Sequence, residues 1–316
     1  MRGSVVTVGR VSVDLYAREP GAAFRDEQTF SKSVGGSPTN VAVAAARLGH
    51  HATLVTKVGG DELGSYVVER LRGWGVDTST IGVARGNLTP VVLAALDPPE
   101  EPKLIFHRQP DAPDTTLTPD DLSETLLQSC DVFWMSGCAL SRGSTAQASM
   151  HWLARRARKP HTVLDLDYRP SFWRSVDDAG KAARAAIELC SVVVGNRTEC
   201  EMALGTNEPE RAADELLARG VTLAIVKMGA AGVLLATAHE RLTVKPLRIT
   251  LVCGLGSGDA FGGALIHGLV NGWDVRTIGE HANAAGAYVA TQLTCADAMP
   301  DIAQLTAFMH DPAHQS

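Results

Sequence analysis

The residues with the most chemical content lie near the carboxyl end: Cys253, Gly254, Leu255, Gly256, Ser257, Gly258, Asp259, Ala260, Phe261, Gly262, Gly263 and Ala264. Glycines at alternate positions lead into an aspartate, and an Ala/Leu-rich helical stretch follows. Glycines let a chain turn tightly and aim successive N–H groups at one point, and the start of a helix adds partial positive charge there. Such a loop suits a phosphoryl group whose charge must be held during transfer, and Asp259 beside it is placed to take a proton from a hydroxyl. The spacing matches neither the dinucleotide G-x-G-x-x-G nor the phosphate loop that ends in GK[ST]. The same residues also describe a glycine-rich turn in which Asp259 only caps the helix.

A second loop, Gly35-Gly36-Ser37-Pro38-Thr39-Asn40, also enters a helix, with Asp14 upstream in the first strand region. A glycine pair lets a ligand approach the backbone closely. Asp14 and Asn40 offer polar partners of the kind sugar hydroxyls need at fixed geometry; a structural turn with an N-cap accounts for the same residues.

What must position these loops is an alternation of short apolar strands and helices. Residues 5–9 (VVTVG) read as a buried strand closed by glycine, and Asn40 to Leu48 as an Ala-rich helix stopped by Gly49. Residues 52–59 give the next strand, and Leu63 to Trp74 a helix stopped by Gly75. Strands follow over 132–137, 161–167, 191–196 and 223–229, with a helix near 145–157. This alternation predicts an α/β fold with a mostly parallel central sheet and helices on both faces. Segments at about 11–34 and 88–108 break the rhythm with strand-like runs (TPVVLAAL, KLIFHR) too short for a core of their own. They predict a small β-strand lid, so that 1–316 reads as a single domain.

Composition narrows the chemistry. The 316 residues are 45% hydrophobic and 20% charged, which excludes a disordered chain. Lys and Arg total 29 against 35 Asp and Glu, a balance that argues against a nucleic-acid or membrane-surface binder yet leaves room for small anions. Six cysteines, at 130, 138, 190, 200, 253 and 295, form no CxxC pair or zinc-spaced cluster and read as buried thiols of a cytoplasmic protein. Arg10 and Asp14 interrupt the apolar run Val5–Val8 before a signal peptide could form, and no uncharged apolar stretch approaches the ~18 residues of a membrane span. The histidines show no metal-ligand spacing; His50-His51 follows a helix end and reads as an exposed cation near the dipole. Trp134, Trp152 and Trp173 read as core or rim packing, and the terminal HDPAHQS as a frayed tail. The first strand lacks G-x-G-x-x-G, against a nicotinamide-dependent dehydrogenase.

Taken together, the double-glycine loop near the amino end and the Gly-Ser-Gly-Asp loop near the carboxyl end resemble the PfkB/ribokinase family of carbohydrate kinases. Two further matches lie between them in the family's order. Asn196-Arg197-Thr198-Glu199 resembles its NxxE motif, and Val226-Lys227-Met228-Gly229-Ala230-Ala231-Gly232 resembles its nucleotide-side glycine turn. The resemblance covers about residues 4–309 and implies a ribokinase-like fold using ATP and Mg²⁺. The stretches VGRVSVDLY, GGSPTNVAVAAARLG, FHRQPDAPD, LDLDYRPSFW, VVVGNRTECE and CADAMP are most similar to the 5-dehydro-2-deoxygluconokinase branch, of inositol catabolism. The 2-dehydro-3-deoxygluconate kinases are similar but less close, usually with Asn where Asp167 stands. The implied reaction is ATP-dependent phosphorylation of the C6 hydroxyl of a keto-deoxy sugar acid, with 5-dehydro-2-deoxy-D-gluconate first. A 2-dehydro-3-deoxygluconate kinase is the alternative, and a catalytically silent sugar-binding or regulatory member of the fold is the alternative from another class.

By motif, Asp259 resembles the family's catalytic base, and the amides of Gly256, Ser257, Gly258 and Asp259 its anion hole. Asp14, Gly35, Gly36 and Asn40 match its sugar-binding positions. Arg108 and Arg169 are candidates for the substrate carboxylate or the transferred phosphate, since their planar forks suit bidentate oxyanion binding. Asp167 is a candidate for substrate hydroxyls, or for a local hydrogen bond to the Arg169 turn. Asn196 and Glu199 match positions that organise Mg²⁺, its waters and the nucleotide phosphates, Glu199 reaching the metal through water. Lys227, Gly229, Gly232 and Asn283 match the nucleotide side; Lys227 stands where many relatives carry Thr, and a snorkelling strand-end amine accounts for it equally. Cys253 and Gly254 replace an Asp-Thr pair of many relatives; a thiol is a poor K⁺ ligand, so the sequence does not decide whether a monovalent cation is used. Ser257 replaces Ala, a mild change where backbone N–H groups do the binding. The implied partners are a sugar acid and ATP, with no nucleic acid or membrane, and the lid edges suit a homodimer.

Overall fold

The computed structural model describes residues 2–19, 21 and 23–314. Its strands are β1 (Ser4–Val8), β2 (Ser12–Ala17), β3 (Phe30–Gly35), β4 (His51–Gly59), β5 (Ile81–Ala84), β6 (Val91–Ala95), β7 (Lys103–His107), β8 (Val132–Ser136), β9 (Thr162–Asp165), β10 (Val192–Asn196), β11 (Leu223–Lys227), β12 (Val233–Ala236) and β13 (Arg241–Val244). Its helices are α1 (Ser37–Arg47), α2 (Glu62–Gly73), α3 (Glu124–Ser129), α4 (Gly143–Arg156), α5 (Val176–Ile187), α6 (Arg197–Leu204), α7 (Pro209–Ala218), α8 (Ser257–Asn271), α9 (Val275–Ala290) and α10 (Ile302–His310).

A nine-stranded sheet runs β13-β12-β11-β10-β9-β8-β1-β4-β5. Neighbours from β11 through β5 pair in parallel, and β12 and β13 add an antiparallel edge. Parallel strands buried on both faces need apolar residues at every position, and VVTV of β1 and VFWM of β8 supply them. Alternate residues then feed two cores: Val5 and Trp134 pack with α1, α8 and α9 on one face, Val6 and Phe133 with α4 to α7 on the other. A second sheet, β3-β2-β6-β7, draws its strands from the two segments that broke the helical rhythm. Its middle pair, β2 and β6, is parallel, and both outer pairs are antiparallel.

The element boundaries mostly follow the sequence reading, with instructive differences. The strand expected over 161–167 ends at Asp165, and Asp167 takes a left-handed φ of 31°. The strand expected over 223–229 ends at Lys227, because Gly229 turns with φ 58°. The tail is less frayed than expected: His314 Nδ1 donates to the Arg248 carbonyl at 3.0 Å and the ring packs on Phe308; residues 315 and 316 lie outside the described residues. His50 corrects its expectation outright. It is 3% exposed, its Nδ1 accepts from the Gly3 amide, and its Nε2 meets His267 Nδ1 at 2.8 Å. Burial, then the facing His267, push its pKa down to about 4, so His50 is a buried neutral ring and not a surface cation. Trp134 and Trp152 are core residues as expected, and the six cysteines are free and buried.

Candidate active site

The site begins with two helices that start at the same place. α1 follows Gly36 (φ 107°) and α8 follows Gly256 (φ 80°), conformations an L-residue rarely adopts. Small residues let the two helices close: a Cβ on Gly263 would overlap Ala44, and one on Gly262 would come within 2.7 Å of the Trp134 ring. This packing sets Asn40, in the first turns of α1, against Asp259, in the first turn of α8. Asn40 Nδ2 donates to Asp259 Oδ2 at 2.7 Å. Burial raises the Asp259 pKa, and the Asn40 bond pulls it partway back.

The loop beneath is less uniform than its motif. The Asp259 amide donates to the Gly256 carbonyl at 3.1 Å and closes the first turn. Among the described residues the amides of Gly256, Ser257 and Gly258 have no backbone acceptor, which leaves three donors at a helix N-terminus. Ser257 Oγ donates back to the Gly254 carbonyl at 2.9 Å and braces the bend.

On the lid side, Asp14 is held by Ser12 Oγ at 2.6 Å and Tyr16 at 3.3 Å, and the same tyrosine hydroxyl donates to Cys295 Sγ at 2.8 Å. A Cβ on Gly35 would overlap the Asp14 carboxylate, so glycine here lets that carboxylate sit on the chain. Burial raises the Asp14 pKa.

A cavity of about 350 Å³ is lined by Arg10, Phe106, Arg108, Asp114, Arg142 and Phe172 among others. Arg108 Nη2 bonds Asp114 at 2.7 Å. Asp167 accepts from Ser136 Oγ at 2.6 Å and faces Arg169 at 3.3 Å and Arg10 at 3.9 Å. Burial alone would raise its pKa, but the two guanidinium groups, Arg169 first, hold it below the usual value.

The residues expected on the nucleotide side, Asn283 excepted, cluster near the carboxyl ends of β10 and β11, where ligands of open α/β sheets collect. Asn196 pairs with Lys227 across β10 and β11. Asn196 and Glu199 form a reciprocal capping box on α6, with bonds of 2.9 and 2.7 Å, and Glu199 is buried. Lys227 Nζ lies 3.7 Å from Asp165 Oδ1, and a Cβ on Gly258 would come within 3.2 Å of that amine. Lys227 therefore touches the phosphate-loop region and is not a stray strand-end charge. Gly229 and Gly232 turn the chain back into β12, the latter so close to Val244 that a Cβ would overlap its carbonyl. Asn283 stands apart: its Nδ2 donates to the Lys245 carbonyl at 2.8 Å and ties α9 to the connector after β13.

Sequence reasoning missed Arg10, Asp114 and Asp165. A cation immediately after the glycine that ends β1 was a usable signal for Arg10. Asp114 and Asp165 carry none by themselves. Two implied ions can be tested against the residues. Glu199 uses only Oε2 in its cap, which leaves an oxygen for Mg²⁺, an ion that keeps most of its shell for water and phosphate. No group of three or more His, Cys, Asp or Glu suited to a metal exists among the described residues. A monovalent cation does not fit beside Cys253: that thiol is buried, burial raises its pKa, and the Ala290 carbonyl already accepts from Val252 and Cys253. No helix among the described residues is long and apolar enough to cross a membrane.

Fold and site together define an ATP-dependent kinase. The chain belongs to the pfkB family of carbohydrate kinases, matching it over residues 2–302. The 5-dehydro-2-deoxygluconokinase of Geobacillus kaustophilus is 31% identical over 316 residues, covering 96% of this chain and 92% of that one. Its Bacillus subtilis counterpart is 29% identical over 305 residues, covering 94% and 92%. Among solved structures, aminoimidazole riboside kinase from Salmonella enterica, complexed with aminoimidazole riboside and an ATP analog, superposes with a TM-score of 0.81 at 26% identity, covering 97% and 99%. Fructokinase with bound ATP from Xylella fastidiosa shares the fold with a TM-score of 0.86 at 21% identity, covering 98% of each chain.

Proposed function

We propose that this kinase transfers the γ-phosphoryl group of ATP to the C6 hydroxyl of a keto-deoxy sugar acid, 5-dehydro-2-deoxy-D-gluconate first, as a step of inositol catabolism. The observation that carries the reading is the Asn40–Asp259 pair at 2.7 Å beside three unpaired amides, with a guanidinium-lined cavity whose Arg10 acts electrostatically on Asp259.

Asn40 fixes Asp259 through Oδ2, so Oδ1 is the atom that takes the hydroxyl proton. Its raised pKa makes it a better base than a surface carboxylate. The proton need leave only late, because phosphoryl transfer passes through a loose transition state. The amides of Gly256, Ser257 and Gly258 face the charge that develops on the moving group, and Lys227 adds a cation beside them. Asp14 and the Gly35-Gly36 turn hold the sugar hydroxyls. Glu199, with Asn196, is the residue to hold Mg²⁺ through its waters; the ion's contribution is to neutralise phosphate charge. Six buried, unpaired thiols suit a cytoplasmic setting, and the free edges β3 and β7 of the lid sheet suit a homodimer.

The test is ADP release with Mg²⁺ and ATP over a panel of 5-dehydro-2-deoxygluconate, 2-dehydro-3-deoxygluconate and neutral ketoses. The highest kcat/KM is expected on the first. Best turnover of 2-dehydro-3-deoxygluconate would move the assignment to that acid, and a preference for neutral sugars would overturn it.

A further inference from the structure

Arg10, Arg108 and the exposed Arg142 line the cavity and Arg169 stands outside it; they differ in what they have left to offer. Arg108 is half committed: Asp114 takes its Nη2 and the Phe172 ring lies 5.0 Å from its centre, while its Nη1 is buried without a hydrogen-bond partner. Arg169 has a side chain 37% exposed and lies outside the cavity lining; its Nε is 3.3 Å from Asp167 but makes no hydrogen bond. Arg10 is only 8% exposed, lines the cavity, and approaches Asp167 no closer than 3.9 Å. Its Nε is buried without a hydrogen-bond partner. Among the described residues none of its guanidinium nitrogens makes a hydrogen bond.

A buried cation with open donors is costly to maintain, because water has been lost and nothing replaces it. The surroundings keep it in place without using those donors. Phe106 and Phe172 lie 5.8 and 5.9 Å from its centre, a distance that steadies a cation through the ring faces. The Arg10 carbonyl accepts from Thr39 Oγ1 at 3.0 Å, which fixes its backbone to the start of α1, the helix that carries Asn40. Arg108 is paired with Asp114, whereas Arg10 and Arg169 both face Asp167, and the Asp14 and Asp259 carboxyls add negative charge around Arg10.

We propose that Arg10 is the residue that recognises the substrate's carboxylate, through paired N–H···O bonds from its Nη atoms, and that it sets the preference for sugar acids over neutral sugars. This rests on the sugar-acid reading above. It also assigns to Arg10 a task that the sequence suggested for Arg108 and Arg169.

The experiment compares wild type, Arg10→Met, Arg10→Lys and Arg108→Met on 5-dehydro-2-deoxygluconate and on its uncharged C1 amide, with D-gluconate binding followed by calorimetry. For Arg10→Met, kcat/KM on the acid should fall about 100-fold, mainly through KM, and the acid-to-amide preference should collapse. Arg10→Lys keeps the charge without the fork and should recover part of the preference. Arg108→Met should lower both substrates alike. Equal losses on acid and amide in Arg10→Met, or a collapse of the preference in Arg108→Met instead, would overturn the proposal. Should Arg10→Met fail to fold, a full acid preference in Arg10→Lys would overturn it as well. A wild type that phosphorylates neither compound would sink the sugar-acid reading itself; gluconate binding lost in Arg10→Met and kept in Arg108→Met would still support the role of Arg10.

Discussion

Asp165 and Asp167 lie two residues apart, each is 3% exposed, and their carboxyl groups shift in opposite directions. Asp167 faces Arg169 and Arg10 and accepts from Ser136; its charge is compensated, and its pKa is lowered. Among the described residues Asp165 has only Lys227 as an ion-pair partner, at 3.7 Å, and its Oδ1 makes no hydrogen bond. Burial, opposed by that lysine and assisted by Glu199, pushes it up to about 7. Equal burial thus gives a fixed anion on the substrate side and a titratable acid on the nucleotide side, and what decides is the number of partners. If the proposed assignment of the two ends holds, the substrate end carries a constant charge and the nucleotide end can trade charge with a polyphosphate that arrives and leaves.

The largest expected effect comes at the residue between these two ends. Asp259→Asn should lower kcat about 1,000-fold, within the range for a lost general base, while ADP and gluconate still bind. The raised pKa of Asp259 places the acid limb of kcat/KM above pH 3.8, with activity increasing as the carboxyl loses its proton. A variant that keeps more than a tenth of the wild-type kcat would remove the base role, and the two ends would then not serve one proton transfer.

Next comes the pair itself. Asp167→Asn leaves Arg10 and Arg169 facing each other without an anion and should cost about 3 kcal/mol in urea unfolding. The backbone is not the cause, since Asn accepts a φ of 31° readily. Asp165→Asn should cost less than about 1 kcal/mol at pH 7, because the carboxyl is already near half-protonated there. The pH slopes differ too. With a folded pKa about 7, Asp165 keeps its proton where the unfolded chain has lost it, so its contribution to stability is present at low pH and lost as pH rises through 7. Asp165→Asn should flatten that decline. Asp167, with its pKa lowered, contributes above its unfolded pKa and loses that contribution only on strong acidification. Equal costs for the two variants would mean that partner number is not what separates them.

A smaller effect is expected at the opposite end of the molecule, where His50 and His267 meet. His50 is pushed down to about 4, and His267 is lowered by burial as well. Below pH 6.5 the unfolded chain binds protons that the fold refuses, so stability should drop between pH 6.5 and 4 by about 1–2 kcal/mol. His50→Gln should remove most of that slope in thermal melts taken at pH 7 and pH 5; an unchanged slope would show that the pair does not titrate as described.

What the sequence discloses follows from how local each feature is. The turns into α1 and α8 are legible because glycine, the helix start and the functional side chain lie within a few residues. Asp14 and Asn40 belong to the same local signals. Arg10 is different. Its surroundings come from β7, from the turn after β9 and from Asp167, and nothing adjacent in the chain marks it as more than a charge after a strand. The alternation LDLD puts an acid at the end of β9 without saying which of 165 and 167 meets arginines. His50 was misread for the same reason, since the ring that neutralises it is 217 residues away. Charge compensation is a tertiary property, and charge is where the sequence reading failed.

Ser257 gives the smallest effect and the finest distinction, because its backbone and side chain do separate work between the two ends. Its amide is one of the three unpaired donors at the start of α8, whereas its hydroxyl is spent on Gly254 at 2.9 Å. Ser257→Ala removes the brace and keeps the amide, so it should cost about 1 kcal/mol of stability or less and change kcat no more than about threefold. A loss of kcat near that of Asp259→Asn would instead place the hydroxyl itself on the phosphoryl group. The loop would then be a side-chain site, and the alternating glycines would matter only for letting Ser257 reach it.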